Sequence, residues 1–277
     1  MTTHAHQILV LGATGKTGRR VVPRLRTAGA AVRAASRSGE VRFDWFRPET
    51  WPAALEGASA VYLVAPDDPG PVPGFVKQAV AAGVGRFVVL SGRGIEHVDS
   101  DFGQGMAAAE QAVRDSGAEW TVIRPNNFFQ NFSEDLWQAP LRAGRLALPI
   151  GEVLEPFVDV EDVAEVAAAL LTRDGHAGRV YELSGPQALT FAEAARTIGR
   201  AAGREIEYVE LTPEEYHREL LAEGYPEAVA RMLGALFALH RTGCTAEVVD
   251  GVRRVLGREP AGFESYVVRA AAGGAWS

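Results

Sequence analysis

The sequence predicts an α/β fold in which a doubly wound parallel sheet carries a smaller, mainly helical lobe. Short β-branched runs alternate with helix-like stretches through residue 125, and the alternation changes after Arg124. The predicted strands are nearly apolar along their length, as in parallel sheets that are covered on both faces. Right-handed crossovers between such strands place helices on both sides of the sheet.

Six strands and four crossover helices are predicted in the first part of the chain. The strands are residues 7–11, 31–36, 41–44, 60–65, 86–91 and 120–124. The helices are residues 18–28, 50–55, 72–82 and 103–116. Because strand and helix alternate regularly, we expect consecutive strands to lie parallel in one sheet.

The second part of the chain is predicted to be mostly helical. A helix ends near residue 143, another covers 159–172 with Asp159 or Asp162 as its cap, and residues 179–184 and 205–210 are strands. Capping boxes at Thr190 and Thr212 begin two further helices. The alanine- and glycine-rich residues 270–277 are expected to fray. We therefore assign residues 1–126 and 156–186 to the sheet domain, and 127–155 and 187–277 to the lobe.

The composition restricts the class of protein. The 277 residues include 28 Lys+Arg and 35 Asp+Glu, a formal net charge of −7, so nucleic acid is not the expected partner. The single cysteine, Cys244, and six scattered histidines exclude an internal disulfide framework and predict no metal site. The polar start and the short apolar runs predict a cytoplasmic protein that does not span a membrane. Monomer and homodimer both remain open.

A glycine-rich turn lies between the first strand and the first helix. It reads GATGKTG, and its predicted cofactor-binding residues are Gly12, Thr14, Gly15, Lys16, Thr17 and Gly18. Glycines at this place allow a tight turn and close approach of a phosphate, while the helix N-terminus attracts the negative pyrophosphate. A P-loop is excluded, because its first glycine would fall at Val10. The turn therefore predicts dinucleotide binding in a Rossmann-like domain.

The end of the second strand predicts which dinucleotide binds. It carries Ser36, Arg37 and Ser38 where an NAD site usually has Asp or Glu for the ribose 2′-hydroxyl. An arginine there accommodates the 2′-phosphate, so the predicted cofactor is NADP(H). Asp44, after the third strand, either accepts a hydrogen bond from the adenine amino group or caps a turn.

Several segments together resemble a known family, the NmrA-like atypical short-chain dehydrogenases/reductases. They are GATGKTGRR at 12–20, VYLVAP at 61–66, RFVVLS at 86–91, TVIRPNNFFQNF at 121–132, PFVDVEDVA at 156–164 and LGREPAGF at 256–263. Within that family the chain most resembles the festuclavine/agroclavine dehydrogenase group of ergot-alkaloid reductases and their bacterial relatives. The resemblance implies an NADPH-dependent reductase that delivers hydride to a C=N, C=C or C=O bond of a small-molecule substrate. It places the nicotinamide near Ala65, Pro66, Ser91 and residues 125–128 (Pro125 to Phe128), and the pyrophosphate on residues 14–18.

The chain departs from the wider superfamily at the proton donor, which is usually a Tyr followed by a Lys four residues later. Phe102 and Met106 have that spacing, and the only lysines are Lys16 and Lys77. A phenyl ring and a thioether cannot transfer protons. An iminium carbon is already cationic and needs mainly orientation, so an imine or iminium reductase fits. A non-catalytic NADP(H)-binding sensor or regulator is the alternative.

Two polar positions after the fifth strand are candidate catalytic residues. Ser91 ends that strand, where dehydrogenases often carry a polar active-site residue, although Ser before Gly is also common in plain turns. His97 forms an acid–base group with Asp99 and Asp101, or else the three lie in a solvated loop. The sequence leaves both alternatives open.

The amides and aromatics of residues 126–132 are the other catalytic candidates. Asn126 and Phe128 are predicted to line a pocket against the nicotinamide, since such pockets combine apolar walls with a few polar groups. The alternative is that they form the lobe junction and cap helices. Glu155 and Asp135 are interpreted as surface acidity rather than as groups that attract a cationic substrate.

Overall fold

The computed structural model describes residues 7–98 and 102–277, and its main sheet is parallel throughout. The strands are β1 Gln7–Leu11, β2 Ala31–Ser36, β3 Val41–Arg42, β4 Ala58–Val64, β5 Arg86–Leu90, β6 Glu119–Pro125, β7 Arg145–Leu148, β8 Arg179–Leu183 and β9 Glu207–Glu210. Seven of them form one sheet in the order β3-β2-β1-β4-β5-β6-β8, and β7 pairs with β9 separately. This order confirms the Rossmann-like doubly wound fold.

Helices flank the sheet and build the remainder of the chain. They are α1 Gly18–Thr27, α2 Trp51–Leu55, α3 Val72–Ala81, α4 Gln104–Arg114, α5 Gln138–Ala143, α6 Val160–Thr172, α7 Phe191–Ala202, α8 Pro213–Ala222, α9 Glu227–Arg241, α10 Gly251–Leu256 and α11 Phe263–Ala272. The elements predicted before residue 125 are all present, with ends that agree within two residues. The strand β7 was not predicted.

The sheet buries both of its faces because successive side chains of a strand point to opposite sides. Val10 and Tyr62 join one hydrophobic cluster with residues of α1 and α6. Their neighbours Leu11 and Val61 join another cluster with residues of α3 and α4. The strand order reverses between β1 and β4, so a crevice is expected at the carboxyl end of β1.

A third hydrophobic cluster lies outside the sheet and is rich in aromatic rings. Phe132, Trp137 and Phe191 pack in it with ring centroids 4.8 to 6.0 Å apart. The expectation that residues 270–277 fray is wrong: Trp276 is 1% exposed, and its indole Nε1 donates to the carbonyl of Phe132 at 2.6 Å. The predicted boundaries between sheet domain and lobe stay a prediction, and α10 packs against α6 and β8 of the sheet.

The predicted helix caps are present, with one change of role. Asp159 caps α6 by accepting from the backbone N–H of Glu161 at 2.9 Å, and Thr190 and Thr212 form complete capping boxes. Asp162, the alternative cap, instead accepts from Arg258 and from the N–H of Ala261, and so fixes the segment after α10. Of the helices that the structure describes, none has the length and apolar character to cross a membrane.

Candidate active site

Two neighbouring cavities open at the carboxyl edge of the sheet. The switch-point cavity, of about 620 Å³, lies where the strand order reverses and is lined by Gly12, Thr14, Gly15, Ser36, Arg37, Ser38, Phe43, Asp44, Trp45, Phe46, Val64, Ala65, Pro66, Asp67 and Asp68. The inner pocket, of about 200 Å³, is lined by Lys16, Ser91, Gly92, Arg93, Phe102, Met106, Pro125, Asn126, Asn127, Phe128, Asn131, Leu236, Leu239 and His240. The turn of residues 12–18 contributes to both, so the cavities adjoin there.

The glycine-rich turn has the geometry of a phosphate cradle. Gly12 has a φ of +63°, and a Cβ on Gly18 would lie 2.2 Å from the Gly12 carbonyl oxygen, so α1 must start tightly against the turn. A Cβ on Gly15 would lie 3.1 Å from the same oxygen. The N-terminus of α1 has no acidic residue in its first turn, and Thr17 makes no side-chain cap. Its positive end is therefore available to an anion, and the turn fits a pyrophosphate.

The predicted 2′-phosphate residues lie at the far side of the switch-point cavity. Arg37 and Ser38 are exposed, whereas Ser36 is buried and its Oγ accepts from the Ser38 N–H at 3.3 Å. Arg37 makes no ion pair or hydrogen bond with another of the residues described. Asp44 caps a turn by accepting from the Phe46 N–H at 3.0 Å, and it also lines the cavity.

Lys16 connects the turn to the inner pocket. Its ammonium donates to Asn131 and to Asp135, the latter at 2.7 Å, and lies 5.7 Å from the centre of the Phe128 ring. The side chain of Asp135 is exposed, which agrees with its interpretation as surface acidity. The predicted residues Lys16, Ser91, Pro125, Asn126 and Phe128 are thus brought together around one pocket.

Ser91 is held by a buried carboxylate that sequence reasoning missed. Its Oγ donates to Glu110 at 2.7 Å, and Glu110 also pairs with Arg114 and Arg124, each at 2.8 Å. Burial on its own would raise the pKa of Glu110, but hydrogen bonds from Arg124 and Ser91 and the charges of Arg124 and Arg114 outweigh it and lower the pKa. Because its proton is engaged by Glu110, Ser91 offers the pocket an acceptor rather than a donor.

Asn126 lines the pocket, but its amide is engaged by the protein. Its Oδ1 accepts from Arg93 at 2.8 Å, and its Nδ2 donates to Glu155 at 2.9 Å and to the Thr245 carbonyl at 3.0 Å. The described hydrogen bonds of Asn126 are thus made to protein groups, and its catalytic role stays a prediction. Phe128 is half-buried and forms part of the pocket wall.

His97 lies away from the pocket. It belongs to a single 3₁₀ turn, Ile95–His97, its side chain is 60% exposed, and its nearest ion-pair partner is Glu96 at 3.9 Å. It lines neither cavity. Asp99 and Asp101 fall outside the residues that the structure describes, so the acid–base group stays a prediction that the position of His97 does not support.

A buried carboxylate–imidazole contact lies at the pocket instead. Glu155 is 1% exposed, so its interpretation as surface acidity was wrong, and its Oε2 lies 3.0 Å from Nδ1 of His240. Burial would raise the pKa of Glu155, but the charge and hydrogen bond of His240 and hydrogen bonds from Asn126 and the Asn127 N–H lower it. No sequence signal indicated this pair, because 85 residues without a shared motif separate the two positions.

Comparison with known proteins identifies the family. Residues 12–174, more than half of the chain, match the profile of a protein family described as NAD(P)H-binding. The chain belongs to this NAD(P)H-binding family. The chain is also similar to an NAD(P)H azoreductase of Xenophilus azovorans, with 36% identity over 97% of this chain and 99% of that protein. The chain is an NAD(P)H-dependent oxidoreductase.

The resemblance to clavine dehydrogenases is also confirmed. The agroclavine dehydrogenase of Claviceps purpurea is 30% identical over 94% of this chain and 96% of that protein. Among solved structures, the Citrobacter sp. triphenylmethane reductase complexed with NADP(H) has a TM-score of 0.78, 22% identity, and coverage of 96% of this chain and 99% of that one. At that identity the structural likeness supports the fold alone.

Proposed function

We propose that this NAD(P)H-binding oxidoreductase uses NADPH to reduce a small, flat organic molecule at an imine, an iminium or a conjugated C=C or C=O bond. The observation that carries the proposal is the inner pocket beside the phosphate cradle. Its walls are apolar, with Phe102, Met106, Phe128, Leu236 and Leu239, and a few polar side chains face it. Pockets that combine apolar walls with a few placed polar groups are typical small-molecule sites, in which the polar groups orient the ligand.

Different parts of the cofactor would bind in the two cavities. Gly12, Thr14, Gly15, Lys16, Thr17 and Gly18 would hold the pyrophosphate, Ser36, Arg37 and Ser38 would hold the 2′-phosphate, and Asp44 would accept from the adenine. Ala65 and Pro66 line the switch-point cavity and Ser91 and Pro125 line the inner pocket, and these four would lie near the nicotinamide. When bound, NADPH supplies a hydride at the inner pocket.

The absence of a tyrosine acid favours an electrophile that is already activated. Phe102 and Met106 both line the inner pocket, so residues that cannot transfer a proton occupy the Tyr-x-x-x-Lys spacing. An iminium ion accepts hydride at carbon without a proton from the protein. The relatives' names, an azoreductase and an agroclavine dehydrogenase, support small-molecule reduction and differ in the substrate.

The test is NADPH consumption with an N-alkyl iminium ion, a cyclic imine, an enone and an unactivated aldehyde. We expect the iminium ion or the enone to be reduced and the aldehyde to be the poorest substrate. Turnover of the N-alkyl iminium ion should stay nearly flat from about pH 6 to 8, where unperturbed carboxylates and tyrosines do not titrate. A steep fall across that interval would show that an enzyme acid is required for it.

A matched pair of variants tests whether the inner pocket holds the substrate. Leu236→Ala enlarges the pocket, so KM should rise several-fold. Leu221→Ala makes the same change on α8, at a side chain that is exposed and away from the pocket, so KM should not change. Equal effects of the two variants, or no NADPH consumption with any compound despite NADPH binding, would reject the proposed function.

A further inference from the structure

One side chain in the inner pocket is chemically suited to exchange a proton near neutral pH. Among the described residues that line the pocket, His240 is the single histidine, and the lining includes no Tyr, Cys, Asp or Glu. Histidine is the residue that ordinarily changes charge between about pH 5 and 8. His240 is 5% exposed and comes from α9, far along the chain from the superfamily's usual acid position.

The partners of His240 fix its tautomer. Nδ1 lies 3.0 Å from Oε2 of Glu155 and 3.1 Å from Oγ1 of Thr245, whose hydroxyl donates to the same carboxylate at 3.4 Å. An ionised carboxylate only accepts hydrogen bonds, so the imidazole carries a proton on Nδ1. Nε2 then accepts from Nδ2 of Asn127 at 3.0 Å, and both residues line the pocket.

The hydrogen bond from Asn127 to His240 depends on whether Nε2 carries a proton. Its amide orientation is set by Oδ1 accepting from Asn131 at 3.5 Å and by Nδ2 lying 3.4 Å from Glu155. Once Nε2 gains a proton, the contact with Asn127 Nδ2 becomes one between two donors. The Nε2–H group then needs an acceptor, and a ligand atom in the pocket can provide it.

Charged groups from several elements surround the imidazole of His240. Glu155, from the loop before α6, faces Nδ1 directly, and Asn126 links this carboxylate to the guanidinium of Arg93 after β5. Lys16 faces the same pocket from the phosphate turn. On α9 itself, Arg241 donates away to the Pro149 carbonyl at 3.3 Å. The Glu155 carboxylate is the charged group in direct contact with the ring.

We propose that His240 is the general acid of this pocket for neutral substrates and that Glu155 is its positioning residue. This proposal rests on the proposed function and adds a proton donor, which the proposed function does not name. Reduction of a neutral X=Y bond forms a bond from X to the hydride, which the reduced nicotinamide gives up as it is oxidised. The π-electron pair moves to Y, the N–H bond at Nε2 breaks, and Y takes that proton. The neutral imidazole then regains a proton from water.

The first test needs no turnover. Protein labelled with ¹⁵N in its histidines is titrated from pH 8.5 to 5.5 without cofactor, and the His240 resonances are assigned from the spectrum of His240→Gln. We expect Nδ1 to stay protonated throughout and Nε2 to gain a proton within the interval. An Nε2 that stays unprotonated, or a proton on Nε2 with Nδ1 bare at high pH, overturns the proposal.

The second test compares an enone with an N-alkyl iminium ion. For the wild type, kcat with the enone should fall as the pH rises, since the acid form is lost. His240→Gln should flatten that profile and lower the ratio of enone kcat to iminium kcat about 100-fold, a common contribution of general acid catalysis. Glu155→Gln should move the fall to lower pH, because an imidazolium without its carboxylate loses its proton more readily. His217→Gln, a histidine on α8 that pairs with Glu227, is the matched control and should alter neither ratio nor profile.

The outcomes separate the two proposals. If the wild type reduces neither compound, the proposed function fails and the acid role fails with it. If the wild type reduces both and His240→Gln keeps the same ratio and profile, the acid role alone is overturned. Because His240→Gln leaves a buried carboxylate unpaired, the double variant His240→Gln/Glu155→Gln removes both charges together and is expected to fold and to show the same low ratio.

Discussion

Arg37 tests the cofactor preference most directly. It lines the switch-point cavity, is exposed, and is paired with no other residue of the described ranges, so its charge is available to a ligand. In water, two unit charges about 4 Å apart attract by about 1 kcal/mol, and a phosphate group carries a charge of about −1.5 to −2. Arg37→Ala should therefore weaken NADPH binding by about 1.5 to 2 kcal/mol, about 10- to 30-fold, and leave NADH binding unchanged.

Fluorescence titration of both cofactors at low and at physiological salt measures this effect. The loss for NADPH should be smaller at physiological salt, where exposed charges are screened within about 8 Å. Arg47→Ala is the matched control, because Arg47 is exposed beside Glu49 at 3.8 Å, carries the same charge and does not line the cavity. Equal losses in the two variants, or an unchanged ratio of NADPH to NADH affinity in Arg37→Ala, would refute the reasoning.

Three further predictions address the turn, the carboxylate behind Ser91 and the end of the chain. Gly15→Val places a branched side chain in the cradle, where its Cβ would lie 3.1 Å from the Gly12 carbonyl oxygen, so NADPH binding should be lost in a protein that still folds with a lower Tm; normal affinity would make the motif an ordinary turn. Glu110 has a lowered pKa in the folded protein, so its stabilisation is complete above about pH 4.5 and is lost as the pH falls through the folded value. Glu110→Gln should thus lower Tm at pH 7 by more than at pH 3, and a constant difference would contradict this. Trp276→Ala should lower the free energy of unfolding in urea by about 3–5 kcal/mol, whereas Val268→Ala at an exposed site should cost under about 0.5.

Local patterns determined the first part of the fold and the phosphate turn. The strand β1, residues 12–18 and α1 follow one another directly, and the arginine after β2 lies at the end of the strand that pairs with β1. Some functional groups are neighbours in sequence, and others lie at the ends of adjacent parallel strands. In both cases the pattern of apolar residues and glycines is enough to predict their positions in the fold. Thus the doubly wound sheet, the use of NAD(P)H and the family follow from the sequence, and the individual cofactor-binding residues stay a prediction.

Only the tertiary structure decided what surrounds the inner pocket. Glu110 contacts Ser91, which lies 19 positions earlier in the chain, and His240 contacts Asn127, which lies 113 positions earlier. These contacts arise from the packing of α4 and α9, which no sequence motif predicts. A charged residue has the same local sequence pattern whether it faces solvent or a buried partner, and so Glu155, in the loop before α6, was interpreted as surface acidity. Its burial beside His240 depends on the loop before α6 and the end of α9 meeting at β6. Sequence patterns record local preferences and periodicity, whereas the pairing of buried charges is set by which distant elements come to share one desolvated volume.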